Sequence, residues 1–339
     1  MNGNQRLMMS VLRNMPIILF AVVFVLFSLL DSRFFTVTNF SDITRTAAFI
    51  GIVAVGMTIV LLTGGIDLSV GATMYIAAAV LALLLEQDTP LLLAIAAGVA
   101  AGTLWGGFNA FLIARVGIAP FMATLATLTA GRGIGLLITG SRHIAVPDEM
   151  RFGASQVLGV PIPILVFVAV VAVAWVALRY TASGRQIYAM GNDLEAAKKA
   201  GLNTRRLTAG VYVVSGFCAA IAAVVAVSQQ GSVSSSFGEG IEFKAIAAAV
   251  LGGTSLFGGV GNVFPGTVIG VLLVQMIQYG LIYLQIDIYL QDMIAAAVIF
   301  FAVLVDALRM RLMHRLERRN IRVEKGPATA DARAAPVSP

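Results

Sequence analysis

Long apolar runs alternate along this chain with short polar breaks, and that rhythm predicts a bundle of membrane helices. A helix needs about 20 predominantly apolar residues to span the hydrocarbon core. Ten segments approach that length: Met15–Leu30, Ala47–Leu62, Val70–Leu85, Leu91–Ala114, Ala119–Ile138, Val160–Leu178, Ala209–Val227, Ala245–Phe257, Val263–Leu284 and Tyr289–Val305. The pattern therefore predicts an all-α polytopic membrane protein with about ten transmembrane helices, some of them broken at glycine pairs. The second and eighth segments are short, and they end at Gly64-Gly65 and Gly252-Gly253. A helix interrupted at membrane depth needs protein or a watery cavity over its open backbone. The two stretches resemble each other (Leu62 to Ser69, Leu251 to Leu256), as in a duplicated broken-helix hairpin.

One interior stretch breaks the pattern. Thr181 to Thr208 reads TASGRQIYAMGNDLEAAKKAGLNTRRLT and carries seven charged side chains between two apolar runs. Its local chemistry predicts a short helix. Asn192 or Asp193 caps it, and Glu195 sits in the first turn, where the helix dipole favours a carboxylate. Lys198 and Lys199 fall in the last turn, and Gly201 supplies a left-handed stop. Ala196, Ala197 and Ala200 leave one face small enough for another protein to approach closely. The bland alternative is a solvated loop helix between two spans.

Composition agrees with the membrane reading. The 339 residues are 59% hydrophobic and 12% charged, against about 25% charged in soluble domains. The single cysteine, Cys218, excludes a disulfide framework, and His143 and His314 have no metal-ligand spacing. The net charge of +6 reflects membrane flanks rather than nucleic acid. If the amino terminus is cytoplasmic and all ten segments cross, seventeen basic residues fall on the cytoplasmic side against four on the other. That asymmetry follows the positive-inside rule. It places residues 1–14, the island within the loop 179–208, and the basic tail 307–339 in the cytoplasm, with 15–306 as the membrane domain. The tail's end has a disordered composition.

Candidate chemistry is sparse. Asp67, in Gly64–Gly71 (GGIDLSVG), is the only acid between Asp42 and Glu86. An acid near membrane depth is costly and signals function by default. It can instead cap the following helix through the backbone N–H groups of Ser69 and Val70. Glycines 98, 102, 106, 107, 131, 133 and 135 are read as close helix packing. Arg132 among them snorkels or pairs with an acid. Ser228 to Glu242, with Gln229, Gln230 and several serines, can bind a hydroxyl-rich ligand or a docking protein, or be an ordinary loop. No phosphate-binding glycine loop and no nucleophile–base constellation is present, so the chain has no visible means of hydrolysing ATP.

Three stretches carry a resemblance: Ala54–Ala72 (AVGMTIVLLTGGIDLSVGA), Tyr188–Asn203 (YAMGNDLEAAKKAGLN) and Ala245–Asn262 (AIAAAVLGGTSLFGGVGN). In this order they resemble the bacterial ribose-type permeases, the membrane subunits of ATP-binding-cassette importers for monosaccharides and small polyols. The resemblance runs from about Phe34 to Asp306. It implies ten spans in the bacterial inner membrane, a second permease subunit (identical or a paralogue), and a periplasmic substrate-binding protein. It also implies a cytoplasmic ATPase that holds ATP and Mg, with no cofactor on this chain. The island is then the ATPase-coupling segment, with Gly191, Asn192, Glu195, Ala196, Ala197, Lys198, Gly201 and Leu202 at the contact. The candidate translocation path comprises Gly64, Gly65, Asp67, Ser69, Gln229, Gln230, Gly252 and Gly253. Lys244 and Tyr279 depart from the family pattern and leave the substrate open.

The expected function is therefore non-catalytic: a permease subunit passing a sugar delivered by its binding protein. The same machinery importing a nucleoside or a branched-chain amino acid is the alternative. A secondary transporter is disfavoured, because no second intramembrane acid or histidine forms a relay with Asp67. A structural scaffold leaves the island unexplained.

Overall fold

The computed structural model describes residues 15–287 and part of 289–304. It is an all-α membrane protein. Six of the described helices are long and apolar enough to cross a bilayer.

In chain order, α1 is Met15–Leu30, α2 Val37–Leu62, α3 Val70–Glu86, α4 Leu91–Ala110 and α5 Pro120–Thr139. Then come α6 Ile162–Tyr180, α7 Ala182–Asn192, α8 Leu194–Lys199, α9 Thr204–Gln230, α10 Ile241–Leu251 and α11 Val268–Tyr283. A π-helical turn, Phe111–Val116, extends α4, and another, Val263–Thr267, leads into α11. Proline opens α5 and α6 within the first two helical positions, where its missing N–H costs nothing.

The second segment is not short. Thr36 caps α2 by accepting from the Asn39 amide, and the helix runs 26 residues to Leu62. At 1.5 Å per residue that is roughly 39 Å. Its polar first turns, with Asp42 and Arg45, hide it from an apolar-run reading. The eighth segment is shorter than expected: α10 stops at Leu251, and residues 252–262 are non-helical. The tenth expected segment is described only in part, and both termini lie outside the described residues. Two small antiparallel pairs occur beyond the helices: β1 (Ile144–Ala145) with β4 (Ser232–Val233), and β2 (Gln156–Val157) with β3 (Val160–Pro161).

The core is built on α2 and α9, which pack on each other; α9 also lies along α4. Small residues permit this. A Cβ on Gly102 would sit 2.7 Å from the Ala220 methyl, and one on Gly106 2.7 Å from the Tyr212 carbonyl. Gly107 and Gly133 meet nothing, so only part of the expected glycine packing is used. Leu29, Leu104, Leu137 and Val173 point outward, apolar side chains suited to lipid.

Candidate functional site

The short helix predicted from the island forms as α8, and a second helix, α7, precedes it. Thr181 caps α7, and Asp193 caps α8, accepting from the Ala196 amide at 2.9 Å. The cap is Asp193, not Asn192. Glu195 stands in the first turn of α8, Lys198 and Lys199 in the last, and Gly201 is left-handed at φ +80°. Lys198 Nζ donates to Glu195 Oε1 at 2.8 Å on the exposed face. Leu194, Glu195 and Ala196 are exposed, whereas Ala197 is buried. The alanine face is thus split: Ala197 packs within this chain, and only Ala196 and Ala200 remain outside. The reason is that α8 is too short to stand free of α9, on which it rests.

Asn192 has another task. The end of α7 is wedged against two glycine turns. The Gly259 amide donates to the Leu62 carbonyl at 3.0 Å. A Cβ on Gly191 would overlap that same carbonyl, and one on Gly258 would sit 2.8 Å from the Gly191 oxygen and 2.9 Å from the Gly64 nitrogen. Asn192 lies against Gly259. Tyr188 Oη donates to the Gly261 carbonyl at 2.9 Å. Burial pushes the Tyr188 phenol above its ordinary range, so it remains a donor at neutral pH. Three separate stretches therefore meet as bare backbone. Gly64 and Gly65 also line a cavity of about 600 Å³ at this island end, together with Arg115, Lys198, Arg205 and Tyr212.

Next along the chain, Asp67 is buried (1% exposed) and anchors a polar hub. Its Oδ1 accepts from the Ser69 amide at 3.0 Å and from Ser69 Oγ at 2.7 Å; its Oδ2 accepts from Ser215 Oγ at 2.8 Å. Ser69 Oγ in turn accepts from Asn109 Nδ2 at 2.7 Å, and Asn109 Oδ1 accepts from Thr127 Oγ1 at 2.6 Å. The donors run in one direction, from α5 through α4 to the Asp67 carboxylate, an order in which each bond polarises the next. Of the two backbone bonds expected to the Asp67 carboxylate, the one from the Ser69 amide forms. Ser69 holds the cap position, and the carboxylate also ties the α2–α3 turn to α4, α5 and α9. Thr124 Oγ1 adds a 3.2 Å bond to the Ile66 carbonyl.

Two residues further, Gly71 faces a different cluster. Glu242 of α10 is 4% exposed, and its Oε2 lies against Gly71, as does the Gly238 carbonyl. Arg132 of α5 reaches the same place: Nη1 donates to the Phe237 carbonyl at 2.6 Å, and the guanidinium stacks 5.6 Å from the Tyr75 ring centroid. Arg132 Nη2 and Glu242 Oε2 face each other across Gly71 without a hydrogen-bond partner. Arg132 thus neither snorkels nor closes an ion pair. It pins the loop before α10.

Gln229 donates to the Arg45 carbonyl at 2.7 Å, while Gln230 is exposed and lines a cavity of about 190 Å³. Gly252 packs against Gly266, and Gly253 makes the left-handed turn after α10. Tyr279 Oη is within 2.8 Å of Thr46 Oγ1. Asn109, Thr127 and Ser215 were not anticipated. Asn109 and Ser215 are isolated polar residues in apolar stretches, which was the available signal; Thr127 stands among Thr124 and Thr129 and gave none. Among the described residues no cluster of three metal-ligating side chains occurs.

Comparison with known proteins agrees with this architecture. Residues 39–303 match the family described as branched-chain amino acid transport system / permease component. The chain is 39% identical to a ribose import permease protein of Haemophilus influenzae, over 86% of this chain and 90% of that protein. It is 38% identical to a galactofuranose transporter permease protein of Escherichia coli, over 79% of each. It is 34% identical to a D-allose transport system permease protein of Escherichia coli, over 86% of this chain and 90% of that one. No solved structure matches. The extent of these matches leads to one conclusion: the chain belongs to the branched-chain amino acid transport system / permease component family.

Proposed function

We propose that this chain is the membrane permease subunit of an ATP-binding-cassette importer for a monosaccharide or related small polyol. The observation that carries the reading is the wedge of Gly191 and Asn192 between the turns at Gly64 and Gly259. A push on α8 from outside the membrane has no slack there, and it passes directly into α2 and the segment after α10. The partner that pushes is an ATPase holding ATP and Mg, seated on the exposed face of Leu194, Glu195 and Ala196. Gly64 and Gly65 belong to the inner mouth of the path, Gln230 to the outer mouth, and the Asp67 hub lies between. The full arrangement is ten spans in the inner membrane, both termini and the island cytoplasmic, a second permease subunit alongside, and a periplasmic binding protein at the opposite end. The relatives' sugars support the substrate class; a nucleoside or branched-chain amino acid is the competing cargo.

Two experiments test this. Ala196→Trp should abolish co-purification with the ATPase and the uptake that depends on it, because a packed interface overfilled by a bulky side chain loses about 1–3 kcal/mol. Full retention of both would make the island an ordinary loop. In a Cys218→Ser background, Asn192→Cys should be labelled only from the cytoplasmic side and Ser155→Cys only from the other. The reverse pattern would invert the topology.

A further inference from the structure

The loop between α9 and α10 does more than connect them. After β4 pairs with β1, residues 234–241 turn back toward the middle of the bundle and reach Gly71, at the start of α3. Gly238 is left-handed at φ +74°, and a Cβ there would sit 2.7 Å from the Gly71 carbonyl. Two interrupted helices, α3 and α10, therefore begin at the same place. Helix interruptions of this kind are where transporters build substrate stations, near mid-membrane.

A cavity of about 190 Å³ lies on this loop. Gln230, Ser234, Ser236 and Glu239 supply its polar lining, with Phe49 and Phe237 among the apolar residues. Phe49 is on α2 and Gln230 ends α9, so the cavity lies between these two helices, at the end of α9 away from the island. Its volume is below the roughly 300–1,000 Å³ of pockets for drug-sized ligands and suits one small ring. The chemistry is selective. Glutamine and serine both donate and accept, a carboxylate accepts, and the phenyl rings offer flat apolar surface. That set matches a ring bearing several hydroxyls. It does not match a free amino acid, whose carboxylate would meet Glu239 and, among the described lining residues, no cation. Arg132 does not line the cavity; its Nη1 instead donates to the Phe237 carbonyl. Through that bond it holds the loop in place before any ligand arrives, which reduces the ordering cost of binding.

We propose that this cavity is a station for a single neutral sugar ring in transit, with Gln230, Ser234, Ser236 and Glu239 bonding its hydroxyls and Arg132 positioning the loop that carries them. The proposal rests on the permease reading above and narrows its cargo to uncharged, hydroxyl-rich rings.

The test uses the permease with its ATPase in proteoliposomes, supplied with loaded binding protein, and D-ribose, D-allose and L-leucine as probes. Gln230→Leu and Glu239→Gln should each lower maximal sugar uptake about tenfold, the effect of roughly one hydrogen bond lost. ATPase co-purification should be unchanged. In a Cys218→Ser background, Ser236→Cys should react with a polar thiol reagent, and the transported sugar should slow that reaction. If Gln230→Leu fails to fold, this labelling decides the matter. Wild-type uptake of sugar with unchanged variants, or labelling indifferent to sugar, would overturn the station and leave the permease intact. Wild-type uptake of L-leucine alone would overturn both.

Discussion

Two buried polar clusters lie four residues apart on one strand of sequence, and they are built on opposite terms. Around Asp67 every polar side-chain atom has a partner: two serines donate to the carboxylate, Asn109 donates to Ser69, and Thr127 donates to Asn109. Around Gly71 the account is left open, with Arg132 Nη2 and Glu242 Oε2 unpartnered although Glu242 is buried. A closed network rigidifies what it joins, and an open one carries the cost of unmet charge. The first cluster joins helices at the foot of α3. The second holds a loop that turns back into the bundle beside a cavity. The difference is one between a fully bonded joint of four helices and a loop held by a single cation.

The largest expected effect lies in the closed cluster. Asp67→Leu removes the acceptor of three donors, at about 1–3 kcal/mol for each group left unmet. The variant should lose several kcal/mol of stability, read as thermal unfolding of the purified protein. Asp67→Asn keeps one acceptor oxygen but turns an amide NH2, a donor, toward a serine hydroxyl. It should retain most of the stability and still transport less. An Asp67→Leu protein that melts and transports like wild type would erase the contrast between the clusters.

In the open cluster the balance should shift toward transport. Arg132→Gln gives up the bond to the Phe237 carbonyl and also leaves Glu242 without a facing cation. Stability should move by about 1–3 kcal/mol, less than for Asp67→Leu, because one hydrogen-bonded acceptor rather than three donors loses its partner. Sugar uptake should fall about tenfold as the loop loosens, and Arg132→Lys should restore it incompletely, because a lysine lacks the planar fork. A stability loss matching that of Asp67→Leu would show that both clusters serve the fold alone.

Smallest is the exposed pair Glu195–Lys198. Such surface pairs contribute about 0–1 kcal/mol. Glu195→Gln should leave melting unchanged, so any fall in ATPase co-purification reads the interface and nothing else.

The legibility of these regions followed the range of the interactions in them. Asp67 and Arg132 stood out because charge in an apolar run is visible without a structure. Their partners did not. Asn109, Thr127 and Ser215 look alike to many polar residues in membrane helices, and only helix packing selects which of them point inward. The start of α2 was misplaced because its first turns are polar, and the end of α10 because its apolar residues continue past the last helical turn.

What the chain determined alone was local: the apolar runs, the glycine punctuation, and the caps of α8 from Asp193 to Gly201. Those depend on neighbours within a turn or two, through cap hydrogen bonds and left-handed backbone. Tertiary structure decided the rest. Ser215 reaches Asp67 across 148 positions, and Gly259 reaches Leu62 across nearly two hundred. It also turned Ala197 inward, against the even alanine face that spacing suggested. Contacts of that separation are set by how helices cross and how closely their small residues let them approach, and no periodicity within a single helix encodes them.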